Sequence, residues 1–264
     1  MTFWEELRTQ VRERTTAGDI SYELFELITA TGVSEVAVVQ PTFYMGRFFI
    51  LTHDFMDFTE KLLDAPADPG HIFSAVLYLR ETARTMARMI RHAAEPVEGM
   101  MQYLDLVYEE SMTPTSEEEE VHEHEHEHEH DRAEEEDEFA AERDALRQSL
   151  KVKLREARLS DKVVEELSKR LADTYHGCVR FARALRLLKT RDPEVDLPGF
   201  LTVLVDTQYV MDTFLRRLLV EDVFLEETPA FTTGLMPWIS HAIEELARQI
   251  TQPQASPSTE PTSA

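Results

Sequence analysis

Apolar side chains recur every three or four residues along most of this chain, which is the spacing of a helix with one buried face. The clearest such helix is predicted from about His71 to His92, and Pro96 and Gly99 are expected to end it. Its apolar positions are spaced four, three, four, three and four residues apart: Ile72, Val76, Leu79, Ala83, Met86 and Ile90. This pattern predicts one continuous stripe packed against neighbouring helices.

Other helices are predicted on both sides of this one. In the first half they cover residues 2–15, a stretch from Asp19 or Ser21 to Gly32, residues 44–63 and residues 100–110. A helical segment is predicted to begin after Ser34 and to be interrupted at Pro41. For residues 36–39, a short β-strand is the alternative prediction. In the second half the predicted helices cover residues 140–159, 160–190, 201 onward and 238–250, with breaks expected at prolines 193, 198, 229 and 237.

The composition changes abruptly between the two halves. From Glu117 to Glu138 there are fourteen acidic residues against one arginine, and His alternates with Glu in the middle. This stretch has too little apolar surface to offset the entropy lost on ordering, although its C-terminal end is expected to pass into helix before Phe139. We therefore predict an all-α fold in two helical halves, residues 1–112 and 139–250, which either pack together as one bundle or stand as separate modules. A disordered acidic linker (113–138) joins them, and a disordered Pro/Ser/Thr tail (251–264) follows.

The net charge, the lengths of the apolar runs and the cysteine count restrict the expected partners and location of the protein. The net charge of the 264 residues is −24, which opposes binding to nucleic acid phosphates. No apolar run approaches the roughly 20 residues that cross a bilayer, and residues 1–6 lack the basic start of a signal peptide. Cys178 is the one cysteine, so no intrachain disulfide forms. A cytoplasmic protein without membrane insertion is expected.

The alternating tract is the first candidate site. Imidazole and carboxylate groups suit Zn²⁺, Ni²⁺ and Cu²⁺, so a metal site is predicted at the five histidines, namely His122, His124, His126, His128 and His130. The alternative is a solvated low-complexity linker without a metal role. No cofactor is otherwise required.

Two basic ridges are the second candidate. They run along a helix in each half and could receive an acidic partner or the acidic tract itself: Arg80, Arg84, Arg88 and Arg91 in the first half, and Arg180, Arg183, Arg186 and Lys189 in the second. The alternative is a solvated helix face paired with local carboxylates.

Catalytic groups are sparse. His53 and Asp57 share a predicted helix face, and His176 precedes Cys178 by two residues. No glycine-rich phosphate loop, nucleophile elbow or zinc-finger spacing occurs. The leading hypothesis is therefore a non-catalytic interaction or regulatory protein that binds a protein partner or another copy of itself, with the acidic His-rich linker tuning that contact. Divalent-metal storage, delivery or sensing is the second hypothesis, and a helical enzyme with a buried site is the third.

Overall fold

The computed structural model describes residues 17–112, 125–223 and 234–251, with side chains described for 17–107, 140–211 and 234–251. Every element in these ranges is an α-helix, which confirms the all-α prediction. We number the helices in chain order: α1 Ala17–Thr29, α2 Glu35–Asp64, α3 Pro69–Met112, α4 Glu125–Glu156, α5 Asp161–Thr190, α6 Leu197–Val223 and α7 Leu235–Thr251. No described helix is long and apolar enough to cross a membrane.

The predicted apolar stripe of α3 is buried along its whole length, since none of its six residues is more than 1% exposed. Cap positions also match the prediction. Gly32 follows α1 with a positive φ of 90°, a conformation that glycine adopts without steric cost. Ser160 is the residue before α5. Residues 2–15, 113–124, 224–233 and 252–264 lie outside the described part of the chain, so the predictions for them, including the break at Pro229, stay predictions.

The break predicted at Pro193 is confirmed, because α5 ends at Thr190 and α6 begins at Leu197, whereas the interruptions predicted at Pro41 and Pro96 were wrong. Pro41 lies inside α2 and Pro96 inside α3, and residues 36–39 are helical rather than a strand. An interior proline costs about 3 kcal/mol because it removes a backbone hydrogen bond. The helices continue because residues on both sides of each proline are buried, among them Val38 and Thr42 in α2 and Ala93 and Val97 in α3. Prolines 198 and 237 lie in the first turns of α6 and α7, where proline is tolerated.

Helix α4 ends in a Schellman motif that fixes the turn into α5. Arg158 has a φ of 56°, and its N–H donates to Arg155 O at 2.8 Å. The next N–H, of Leu159, donates to Leu154 O at 3.3 Å. Leu154 and Leu159, the positions at which an apolar contact usually accompanies this motif, are both buried.

The two halves share one core. Helices α2 and α3 of the first half pack against α4–α7 of the second. Phe48 on α2 meets Phe181 on α5 edge to face, with ring centroids 4.8 Å apart, and neither ring is exposed to solvent. Tyr175 on α5 donates a 2.9 Å hydrogen bond to Glu60 on α2. The halves therefore form a single packed unit at these contacts, rather than separate modules.

Candidate interaction site

The first basic ridge lies along α3 and is partly neutralised within its own helix. Arg80 donates from Nε to Glu81 Oε1 at 3.0 Å, and the Arg84 guanidinium is 3.5 Å from the same oxygen. Arg88 and Arg91 lie further along the helix and are exposed. Local pairing, which was the alternative interpretation, therefore accounts for Arg80 and Arg84.

The second ridge lies along α5 and is less open than the first. Arg180 is exposed, whereas Arg183 and Arg186 are half-buried. Lys189 forms an ion pair with Glu23 on α1. Among the described residues, α3 and α5 do not form one of the main helix pairs.

The proposed metal tract is only partly covered. His122 and His124 lie outside the described residues. His126, His128 and His130 fall within the backbone of α4, which begins at Glu125 inside the predicted linker, but their side chains are outside the described part. In the side chains that are described, no three His, Cys, Asp or Glu groups converge as metal ligands.

The residues considered for catalysis are used in packing and pairing. His53 packs edge to face on Phe49, at 4.8 Å between ring centroids. Asp57 pairs with Lys61 at 2.5 Å. Cys178 is fully buried, and burial raises the pKa of its thiol well above the ordinary value of 9.0. A nucleophilic cysteine needs a lowered pKa, so Cys178 behaves as a small core residue.

One carboxyl near these residues has a perturbed pKa. Partial burial raises the pKa of Asp54, and the neighbouring negative charge of Asp57 raises it further, while Lys61 opposes both. Asp54 is an exposed side chain on α2. Neighbouring atoms of the protein cover the carboxyl enough that burial is the largest cause of the raised pKa of Asp54, ahead of the charge of Asp57.

An open cleft lies between α1 and the C-terminal end of α5. Its volume is about 610 Å³, and its ten lining residues are Glu23, Glu26, Leu27, Ala30, Lys189, Thr190, Arg191, Asp192, Pro193 and Glu194. His53, Asp57 and His176 do not line it. Lys189 does, so one residue of the predicted basic ridges lies in its wall.

The cleft combines apolar and charged groups at different depths. Pro193 is buried and Leu27 is half-buried, whereas Glu26, Arg191 and Glu194 are exposed. A rim of charge around apolar groups is the usual anatomy of a protein interface. Sequence reasoning missed this site because its residues come from α1 and from the α5–α6 loop, which are about 160 residues apart in the sequence.

Local contacts set the geometry of the cleft. Arg191 pairs with Asp196 at 3.3 Å, and the Glu194 N–H donates to Asp192 Oδ1 at 2.9 Å. On α1, a hydrogen bond from Tyr22 to Glu26, together with the negative charge of Glu26, raises the pKa of the Tyr22 phenol. The cleft is therefore bounded by a hydrogen-bonded turn on one side and a regular helix on the other.

Comparison with protein-family models, with curated proteins and with solved structures found no match. Function must therefore be argued from the surfaces of this chain.

Large apolar side chains stand exposed beside the cleft. Tyr22 is 61% exposed and lies next to Glu26. Val195 is 83% exposed and directly follows the lining residue Glu194. Tyrosine is frequent in protein interfaces because it offers a rigid apolar ring with a polar end.

Proposed function

We propose that this protein is a non-catalytic interaction protein, and that it binds a basic segment of a protein partner in the cleft between α1 and α5. The observation that carries this proposal is the cleft itself, in which the buried Pro193 and the half-buried Leu27 lie among charged side chains. Exposed Tyr22 and Val195 extend its apolar surface.

The charge of the cleft indicates which class of partner it would bind. Four carboxylates line it, from Glu23, Glu26, Asp192 and Glu194, against two cationic side chains, Lys189 and Arg191. Both cations already have an acidic neighbour, since Lys189 pairs with Glu23 and Arg191 with Asp196. The C-terminal end of α5 adds partial negative charge from its last carbonyl groups. Lysine or arginine in the partner would complement this field.

The net charge of −24 supports the same partner class at long range. A net negative charge speeds encounter with a basic molecule and slows encounter with an acidic one. Binding should therefore weaken as salt rises, because the screening length falls from about 10 Å at 0.1 M to about 3 Å at 1 M ionic strength.

A peptide display library tests the proposal before any natural partner has been identified. Random peptides are selected on the intact protein and on the double variant Glu26→Lys/Glu194→Lys. Peptides that carry Lys or Arg beside apolar residues should be enriched on the intact protein. Their affinity for the double variant should fall at least about tenfold.

The matched control is Glu98→Lys, which reverses an exposed charge on α3, a helix not packed against α1 or α5 in the described residues. This variant should bind the selected peptides as the intact protein does. Absence of enriched peptides, or equal binding by the double variant, would reject the cleft as a partner site. If light scattering gave the mass of a dimer or larger oligomer for the intact protein, self-association would replace peptide binding as the proposed interaction.

Metal handling is the second proposed function, supported by the five alternating histidines and by the helical backbone that places His126 and His130 one turn apart on the same face. A calorimetric Zn²⁺ titration compares the intact protein with a variant in which His122, His124, His126, His128 and His130 are all serine. The control carries His71, His92 and His241 as serine, all exposed and outside the tract. Metal handling is supported if the intact protein binds Zn²⁺ with a sub-micromolar dissociation constant, worth more than about 8 kcal/mol, and only the first variant loses this binding. Weak binding, or equal binding by all three proteins, rejects it.

A further inference from the structure

An apolar stripe is exposed on the first turns of α2. Val36 is 85% exposed, Val39 52% and Phe43 47%. Their spacing of three and four residues places them on one face of the helix. The other face, with Val38 and Met45, is buried in the core. The stripe is therefore a second apolar face of a helix that already packs through its first.

The residues that precede Ala17 join the described chain beside this stripe. A Cβ atom built on Gly46 of α2 would lie 2.9 Å from Ala17 O. Ser21 Oγ donates to Ala17 O at 2.8 Å and lies 3.4 Å from Phe43 O. The first turn of α1 is thus in contact with α2 within one helical turn of Phe43.

The sequence of those sixteen residues is suited to cover the stripe. Phe3, Trp4, Leu7 and Val11 fall on one side of the helix predicted over residues 2–15. A helix of that length is about 21 Å long, whereas α2 from Val36 to Arg47 is about 18 Å long. The charges of the segment balance, with three glutamates and three arginines, so no net repulsion from an acidic protein opposes docking.

We propose that residues 1–16 fold back along α2 and cover Val36, Val39 and Phe43 with the apolar side of their predicted helix. Thr15 and Thr16, which have low helix propensity, lie at the reversal before α1. Attachment at one end keeps the segment at high effective concentration beside the stripe. The stripe is then an intramolecular docking surface and is independent of what binds in the α1–α5 cleft.

Cross-linking in the full chain tests this contact. The variant Leu7→Cys/Val39→Cys is treated with a short bismaleimide, and Glu5→Cys/Val39→Cys serves as the control. In both pairs the two cysteines are separated by nearly the same length of chain, but Glu5 is on the side of the predicted helix opposite to Leu7. Cys178 is buried and should not react. We expect an intramolecular product at least tenfold faster for the Leu7 pair.

Two outcomes would overturn the proposal. Equal rates for the two pairs would mean that the segment does not dock through its apolar side. A covalent dimer in place of the intramolecular product would mean that a second copy covers the stripe.

Tryptophan fluorescence provides an independent measurement. The two tryptophans are Trp4 and Trp238, and Trp238 is only 3% exposed. The variant Val39→Glu/Phe43→Glu should make one tryptophan accessible to acrylamide, whereas Val152→Glu, at an exposed position on α4, should not. Unchanged quenching in the double variant would also reject the docking.

Discussion

Because α1 and α2 approach each other closely at Gly46, we predict that Gly46→Ala changes the stability in the direction opposite to the one that helix propensity predicts. Glycine in a helix interior costs about 1 kcal/mol relative to alanine, so propensity alone predicts that Gly46→Ala stabilises the protein. A Cβ at this position, however, would lie 2.9 Å from both Ala17 O and Ser21 N and would also collide with Ser21 Oγ. Backbone atoms cannot rotate away, so α1 must shift.

The expected magnitude follows from these two opposing terms. Overpacking of this kind costs about 1–3 kcal/mol, and contact with two backbone atoms favours the upper end of that range. After subtraction of the propensity gain, Gly46→Ala should destabilise the protein by about 2 kcal/mol. For a protein of this size, that corresponds to a fall of about 4–8 °C in Tm.

Gly99 provides the matched control within the same molecule. It lies inside α3, and nothing comes within 4 Å of a Cβ built there. Gly99→Ala should therefore stabilise by about 1 kcal/mol through propensity alone. The same chemical change is thus predicted to have opposite effects at two helical positions.

Urea denaturation followed by far-UV circular dichroism measures both variants. Addition of Ser21→Ala to Gly46→Ala removes one of the three collisions and should restore part of the lost stability. The reasoning would be refuted if Gly46→Ala were as stable as the unchanged protein, or if Gly99→Ala were the less stable of the two variants.

Three further predictions concern single positions. Tyr175→Phe removes a part-buried hydrogen bond to Glu60 that joins the two halves; we expect a loss of about 1–2 kcal/mol in urea unfolding, and no loss would mean that the bond is not formed. Arg158→Gly relieves a left-handed backbone conformation and should raise the free energy of unfolding by about 1 kcal/mol; a destabilised variant would contradict this. The pKa of Cys178 is raised by burial, so the unfolded thiol ionises first as pH rises above about 9 and stability should then fall by up to about 1.4 kcal/mol per pH unit. Cys178→Ala should not show this alkaline fall in stability. An identical pH dependence of stability in both proteins would refute the prediction.

Much of the fold could be predicted because helix periodicity and caps are local properties of the sequence. Ile72 and Ile90 mark the ends of a stripe that is buried along its whole length. Gly32 follows α1 and Ser160 precedes α5, which are boundary positions that these residue types favour. These signals depend on residues within one or two turns, so they can be recognised without the tertiary structure.

The candidate site could not be predicted in the same way. Glu26 and Glu194 line one cleft although they lie far apart in the chain. Lys189 was singled out as part of an open basic ridge, yet it pairs with Glu23 across two helices. Which charged residues meet depends on how the helices are arranged, and that arrangement is not encoded in local spacing.

The sequence by itself determined that the chain is helical, where most helices begin, and which faces are apolar, because these depend on spacing and capping within a few residues. Only the tertiary structure decided that α2 and α3 continue through Pro41 and Pro96, since burial on both sides of each proline offsets a local cost. It alone decided that Phe48 and Phe181 meet in one core shared by the two halves. The physical reason is that packing energy is gained between residues distant in sequence, and it can outweigh local preferences of a few kcal/mol.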